Sequence, residues 1–278
     1  MLRLINKNKK IKAIIVVSII FALILSVICI KKYYNGSKKE IFTVDSRISK
    51  MVKEKEKDDR EHYDTIGWLK VQGTNIDTPI IKYKYKNVDD DEIEEEQIDK
   101  ENYLWNNVDE DRLLNKINIL GHNILNLSSN PDVGLNHFSR FDDLMAFVYY
   151  DFVKDNKYIQ YTWNGKDYIY QIYSVEFVKD RDLDLYVFDN YTKEEMKNFI
   201  NKSIKNSLYK FDIKVDENDK IISLITCTRF FGDNNETDFV VNAKLVKDNE
   251  FRNYNVHKMK KYKKIEKILK SEVEDNGA

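Results

Sequence analysis

The chain has 278 residues, 42% of them hydrophobic, and sets 46 lysines and arginines against 47 aspartates and glutamates for a net charge of -1. Beyond a hydrophobic N-terminal stretch that length leaves about one domain, at roughly 100–200 residues per domain, and the balanced charge excludes a global basic field for nucleic acid. Two cysteines, Cys29 and Cys227, exclude a disulfide framework.

Residues 13–30 are apolar apart from Ser18 and Ser26, with Arg3, Lys7, Lys9, Lys10 and Lys12 before them and Lys31 and Lys32 after. Eighteen residues at 1.5 Å each reach about 27 Å, close to the hydrocarbon thickness of a bilayer. The stretch exceeds the roughly 7–15-residue core of a secretory signal, and no small-x-small cleavage site follows it, so the expectation is a retained membrane anchor. The basic tail, residues 1–12, favours an inside N-terminus and a domain outside. In the linker, residues 31–62, Ile41, Val44, Ile48, Met51 and Val52 fall at three- and four-residue spacings that predict a surface helix.

From residue 66 to 81 two short β-type runs flank a Gly-Thr-Asn turn, with Pro79 marking an edge or a strand start. The acidic run over residues 89–96 reads as a solvated loop; it lacks the alternating ligands and the glycine of a calcium loop. Residues 117–120 form a short apolar strand closed by Gly121-His122-Asn123. Phe138, Phe141, Leu144, Phe147 and Val148 predict a short helix and then a strand. Aromatic and apolar alternation on both sides of Asn164-Gly165 predicts a hairpin. Thr192-Lys193-Glu194-Glu195 is a capping box that opens a helix to about Asn206, with Met196, Phe199, Ile200 and Ile204 on one face. Residues 211–215, 221–226 and 239–246 predict further strands. In the tail, residues 249–278, a basic helix over 258–270 carries Met259, Tyr262, Ile265 and Leu269 for docking. Strands predominate, so the expected fold is mainly β with peripheral helices (α+β): a closed β-barrel over residues 63–248, preceded by a single transmembrane helix.

The chemistry points to Cys227. An apolar run delivers it at a strand end, its only possible thiol partner lies in the expected anchor, and a free thiol becomes a nucleophile when a base or a cation favours the thiolate. His62 and His257 sit in charged segments and His137 in a turn-rich one, whereas His122 closes a short strand. Arg229, two residues beyond Cys227, shares its side if the strand stays extended.

These residues resemble the sortases, membrane-anchored cysteine transpeptidases of Gram-positive bacteria, and the layout is most similar to class B. The resemblance runs over roughly residues 66–246 and rests on the anchor, Gly67-Trp68-Leu69 to Pro79, Gly121-His122-Asn123, residues 141–152, the helix opened at Thr192, and Ser223-Leu224-Ile225-Thr226-Cys227 in place of Thr-Leu-x-Thr-Cys. It implies a Cys227 nucleophile, His122 as acid and base, no cofactor and no metal. Its implied partners are secreted proteins with a C-terminal sorting motif, and an amine acceptor from a peptidoglycan precursor or a pilin lysine. It also implies a single-pass protein of the cell membrane with the catalytic domain extracellular. One departure stands out: where the family has an arginine opening the strand after the cysteine strand, this chain has Asp238, which leaves Arg229 as the candidate guanidinium. A cysteine peptidase in which water wins, and a catalytically weakened, membrane-tethered binding module, are the alternatives.

Overall fold

The computed structural model describes residues 26, 45, 47–48, 63–83, 102–104, 113–121, 123, 140–179, 191–232, 237–247 and 253–275. The chain divides into two compact units, Met1–Thr43 and Val44–Ala278, and every described residue except Ser26 belongs to the second. The expected anchor, most of the expected linker helix and the acidic run lie outside the described residues. Among the described residues no helix is long and apolar enough to cross a membrane.

Eight strands close on themselves: β1 (Tyr63–Val71), β2 (Asp77–Tyr83), β3 (Asn102–Leu104), β4 (Lys116–Leu120), β5 (Tyr158–Trp163), β6 (Lys166–Lys179), β8 (Ile221–Thr228) and β9 (Thr237–Leu245), in the order β1-β2-β3-β4-β8-β9-β6-β5. Closure is made where β1 meets β5, Gly67 opposite Trp163 and Val71 opposite Ile159. A Cβ on Gly67 would come within 2.7 Å of the Thr162 carbonyl oxygen, so the closing seam needs glycine there. Pro79 pairs with Trp68 just before β2 gains β3 as a second neighbour at Ile80, a place where its missing N–H breaks no second ladder. The β5–β6 hairpin turns through Asn164 (φ 48°) and Gly165 (φ 65°), the two positive φ values that an Asn-Gly hairpin turn requires.

Three expectations change in detail. The region after Phe138 forms a 3-10 helix (Arg140–Val148) and then the short helix α1 (Tyr150–Asp155), with no strand. The three-residue spacing of Phe141, Leu144 and Phe147 matches three residues per turn, and all three side chains are fully buried. The strand expected over 211–215 is instead β7 (Tyr209–Phe211), which pairs with a short strand, β10 (Val256–Lys258), that alternation was too brief to reveal. Helix α2 (Lys193–Asn206) has its capping box: Glu195 N–H donates to Thr192 Oγ1 (3.3 Å) and Thr192 N–H to Glu195 Oε2 (2.7 Å). Ile204, however, is 42% exposed, and Ser203 takes the buried place, donating from its hydroxyl to the Ile200 carbonyl (3.0 Å). The last helix, α3 (Tyr262–Asp275), docks through Tyr262, Ile265 and Leu269.

Helix α2 covers one face of the sheet. Met196, Phe199 and Ile200 pack with Tyr173, Val178, Ile221, Ile225 and Val240. The alternate residues Ile222, Leu224, Phe239, Val241 and Ala243 are all fully buried on the other face. Beneath α2 a buried polar row crosses four strands. Lys116 Nζ donates to Asn118 Oδ1 and to Ser223 Oγ (2.8 Å), Ser223 donates to Asn242 Oδ1, and Asn242 Nδ2 donates to Glu176 Oε1 (3.0 Å). Burial drives the Lys116 ammonium well below its usual pKa, against a smaller opposing pull from Glu176.

Candidate active site

The site is built at the C-terminal end of β8. Residues Ile221 to Thr226 are buried, then Cys227 is exposed, Thr228 buried and Arg229 exposed. By alternation Cys227 shares the face of Ser223 and Ile225, the face that α2 covers lower down, and the strand carries the thiol past that cover into solvent.

The neighbouring parallel strand β4 pairs Leu120 with Ile225, and its continuation is tied to the cysteine segment by three further bonds. Gly121 N–H donates to the Ile225 carbonyl (3.1 Å), Thr226 Oγ1 donates to the Gly121 carbonyl (2.7 Å), and Asn123 Nδ2 donates to the Cys227 carbonyl (3.0 Å). Residues on either side of position 122 are therefore fixed to residues 225–227; His122 itself, like His137, lies outside the described residues. Asn123 is a positioning residue that sequence reading passed over, although it stands in the Gly121-His122-Asn123 motif. Thr226 uses its hydroxyl for the same clasp, which gives a physical reason for threonine before the cysteine.

Arg229 stands differently from the expectation. Strand β8 ends at Thr228, so strict alternation does not reach it; Arg229 instead opens a turn in which Gly232 N–H donates to the Arg229 carbonyl (2.7 Å) and Gly232 adopts φ 102°. Burial still alternates, leaving both Cys227 and Arg229 exposed. The turn is fastened by Phe230 N–H to Thr228 Oγ1 (3.2 Å) and by an aromatic cluster in which Phe177 meets Phe230 (5.1 Å), Phe231 (4.8 Å) and Phe239 (5.1 Å).

Asp238 occupies the register position directly opposite Cys227 on β9, with Val178 as its partner on β6. It is 7% exposed. Opposed residues in an antiparallel pair point to the same face, so the Asp238 carboxylate and the Cys227 thiol rise from one face. Among the described residues no three His, Cys, Asp or Glu side chains gather in a metal-binding group.

The family described as the sortase domain matches residues 69–246. The chain belongs to the sortase family. It is 26% identical over 195 residues to sortase B of Staphylococcus aureus (strain NCTC 8325 / PS 47), an alignment that covers 66% of this sortase and 71% of that one. Its fold is similar to that of sortase B from Clostridium perfringens, with a TM-score of 0.53, 24% identity, and coverage of 73% of this chain and all of the other. It is likewise similar to the Staphylococcus aureus sortase B–substrate complex, with a TM-score of 0.52, 18% identity, and coverage of 78% and 98%. The enzyme class is therefore a sortase-type transpeptidase, class B-like, in a mainly β fold with few helices.

Proposed function

We propose that this sortase is a membrane-anchored cysteine transpeptidase in which Cys227 is the nucleophile, His122 the acid and base, and Arg229 the cationic donor. The observation that carries this reading is the exposed Cys227 thiol at the end of an otherwise buried strand, beside a segment clasped at Gly121 and Asn123. The Cys227 thiolate attacks the carbonyl carbon of a sorting-motif peptide bond, and the Arg229 guanidinium stabilises the oxyanion that develops. As the C–N bond breaks, His122 imidazolium gives its proton to the leaving amine, and a thioester remains on Cys227. The acceptor amine then attacks the thioester carbonyl, His122 takes its proton, and the thiolate leaves. One amide is exchanged for another, so no energy source is consumed.

The substrates on this reading are secreted proteins with a C-terminal sorting motif, and the acceptor is an amine of a peptidoglycan precursor or a pilin lysine. A structure similar to this one is a sortase B complexed with triglycine, which fits an amine acceptor. Residues 13–30 anchor the protein by a single pass, with residues 63–248 forming an extracellular catalytic domain and residues 249–278 its helical tail.

A specific observation favours a second reading, that of a weakened enzyme. Asp238 directly opposes Cys227 at the position where the resemblance calls for an arginine, so an anionic side chain stands where a cationic donor is expected. The two readings separate in a transpeptidation assay with a sorting peptide and a supplied amine. A new amide that disappears in Cys227→Ala and in His122→Ala supports the first; little amide in the wild type, increased in Asp238→Arg, supports the second; and hydrolysis products alone would make water the acceptor, so that the transpeptidase reading fails.

A further inference from the structure

Strands β4 and β8 run parallel in a constant register, with Lys116 opposite Ile221 and Leu120 opposite Ile225. Their backbone ladder opens with Ile221 N–H donating to the Asn115 carbonyl (2.8 Å), and it makes one rung past the end of β4, from Gly121 N–H to the Ile225 carbonyl (3.1 Å). Continued at the same spacing, the ladder would send Cys227 N–H to the Gly121 carbonyl and Asn123 N–H to the Cys227 carbonyl. Side chains meet both acceptors in their place. Thr226 Oγ1 donates to the Gly121 carbonyl (2.7 Å), and Asn123 Nδ2 donates to the Cys227 carbonyl (3.0 Å).

A side-chain rung is longer than a backbone rung by the reach of the side chain, so the two chains part here and yet stay tied. The parting falls beside the thiol. Carried two residues beyond Leu120, the register brings position 122 opposite Cys227. Backbone rungs would hold those two positions at the roughly 4.7–4.9 Å of neighbouring strands, with little room for a peptide between their side chains. Asn123 is itself buried, which shelters its bond from competition by water and stiffens the tie.

We propose that Asn123 is a positioning residue for the reaction: its side-chain amide is a spacer that sets the gap between Cys227 and position 122, the gap in which the scissile carbonyl is attacked and the leaving amine protonated. This rests on the reading of Cys227 as nucleophile and His122 as acid and base. Asn123 works through the Cys227 carbonyl, and asparagine suits the task because Nδ2 is a donor at every pH of interest. An aspartate of the same size offers only acceptors near neutrality.

The test is steady-state kinetics on the full-length chain in neutral detergent micelles, following peptide cleavage with and without a supplied amine. Asn123→Ala and Asn123→Asp should each lower kcat by about 10²-fold, the loss that a misplacement of about 1 Å can cause. KM should stay within about twofold of the wild type, since ground-state binding of the peptide is not what is removed. Asn123→Gln keeps an amide donor on a longer arm and should recover part of the kcat lost in Asn123→Ala, with a urea midpoint close to that of the wild type, which separates positioning from unfolding. Wild-type kinetics in Asn123→Ala, a loss confined to KM, or an Asn123→Gln protein no better than Asn123→Ala overturns the proposal. Hydrolysis without a new amide, slowed about 10²-fold in Asn123→Ala, supports the spacer while the transpeptidase reading fails. A new amide formed equally by the wild type and Asn123→Ala sinks the spacer alone, and a wild type that cleaves no peptide overturns both.

Discussion

Strand β8 is two different materials joined at one peptide bond. From Ile221 to Thr226 every residue is buried, with Ile222 and Leu224 fully so on one face and Ser223 locked into the Lys116–Asn242–Glu176 row on the other. From Cys227 onward burial alternates, with Cys227 and Arg229 reaching solvent; the strand ends at Thr228, and a four-residue turn from Arg229 to Gly232 takes over. Packing fixes the first part, which cannot change without loss; the second is free to carry chemistry because the first holds it in place. A substitution should therefore cost either stability or activity on the two sides of Thr226, and seldom both.

The sharpest way to break that contrast is a pair of alanine variants three residues apart. Cys227→Ala is expected to abolish transpeptidation of a sorting peptide while leaving the denaturation midpoint within about 0.5 kcal/mol of the wild type, the usual range for an exposed position. Leu224→Ala should cost about 2–5 kcal/mol through the cavity it opens, and should keep activity in whatever fraction remains folded. Urea denaturation and the amine-dependent assay, run on both proteins, decide the matter. A Cys227→Ala protein that unfolds would mean that the thiol is a packing residue.

The same boundary marks how far the sequence could be read. Barrel strands, the Asn164-Gly165 hairpin and the Thr192 capping box were legible because each has a local code: a period of two, a pair of positive φ values, a reciprocal side-chain bond. Cys227 was legible because an apolar run ends at it. What stayed hidden depends on partners distant in sequence. The Asn123 bond to the Cys227 carbonyl spans 104 residues, and the polar row beneath α2 joins Lys116 to Ser223 across 107. Alternation placed Arg229 beside Cys227, yet it could not say that the strand stops at Thr228, since that stop is set by the turn closed on Gly232.

Arg229 and Asp238 test the exposed side of the boundary at a smaller scale. If Arg229 stabilises the oxyanion, Arg229→Ala should lower turnover by about 10²–10³-fold, the loss expected for one oxyanion donor, and lysine should restore only part of it. If instead Asp238 has weakened the enzyme by replacing the family arginine opposite Cys227, Asp238→Arg should raise turnover and Arg229→Ala should change little. Steady-state kinetics on the three proteins with one peptide and one amine separates the outcomes.

On the buried side, Lys116 offers a pH signature. Burial lowers its pKa in the folded state below the usual 10.5, so between those two values the unfolded chain binds a proton that the folded chain does not. Stability from this residue therefore rises with pH across that window. Above about pH 10 the buried tyrosines Tyr161, Tyr170 and Tyr173, whose hydroxyls are raised by burial, act in the opposite sense. Urea midpoints compared near neutrality and at mildly alkaline pH should climb more steeply for the wild type than for Lys116→Met. Parallel slopes would show that Lys116 keeps its proton beneath α2.

The smallest expected effect lies at the start of α2, the helix that covers the buried half of the boundary. Thr192→Ala removes the side-chain acceptor for the Glu195 N–H and should cost about 1 kcal/mol, a typical value for an N-cap. The cost should also depend on acidity. The Thr192 hydroxyl, and then its N–H, hold the Glu195 carboxyl below its usual pKa of 4.5, so the contribution of that carboxylate is complete above this value and is lost as pH falls through the lowered one. The gap between wild type and Thr192→Ala should accordingly narrow, without vanishing, in acid, because the bond from Glu195 N–H to the hydroxyl survives protonation. Activity near neutrality should be unchanged throughout, since the helix start touches neither Cys227 nor its clasp. A Thr192→Ala protein that lost turnover while keeping its denaturation midpoint would show that α2 influences the cysteine end of β8, and the division at Thr226 would have to be redrawn.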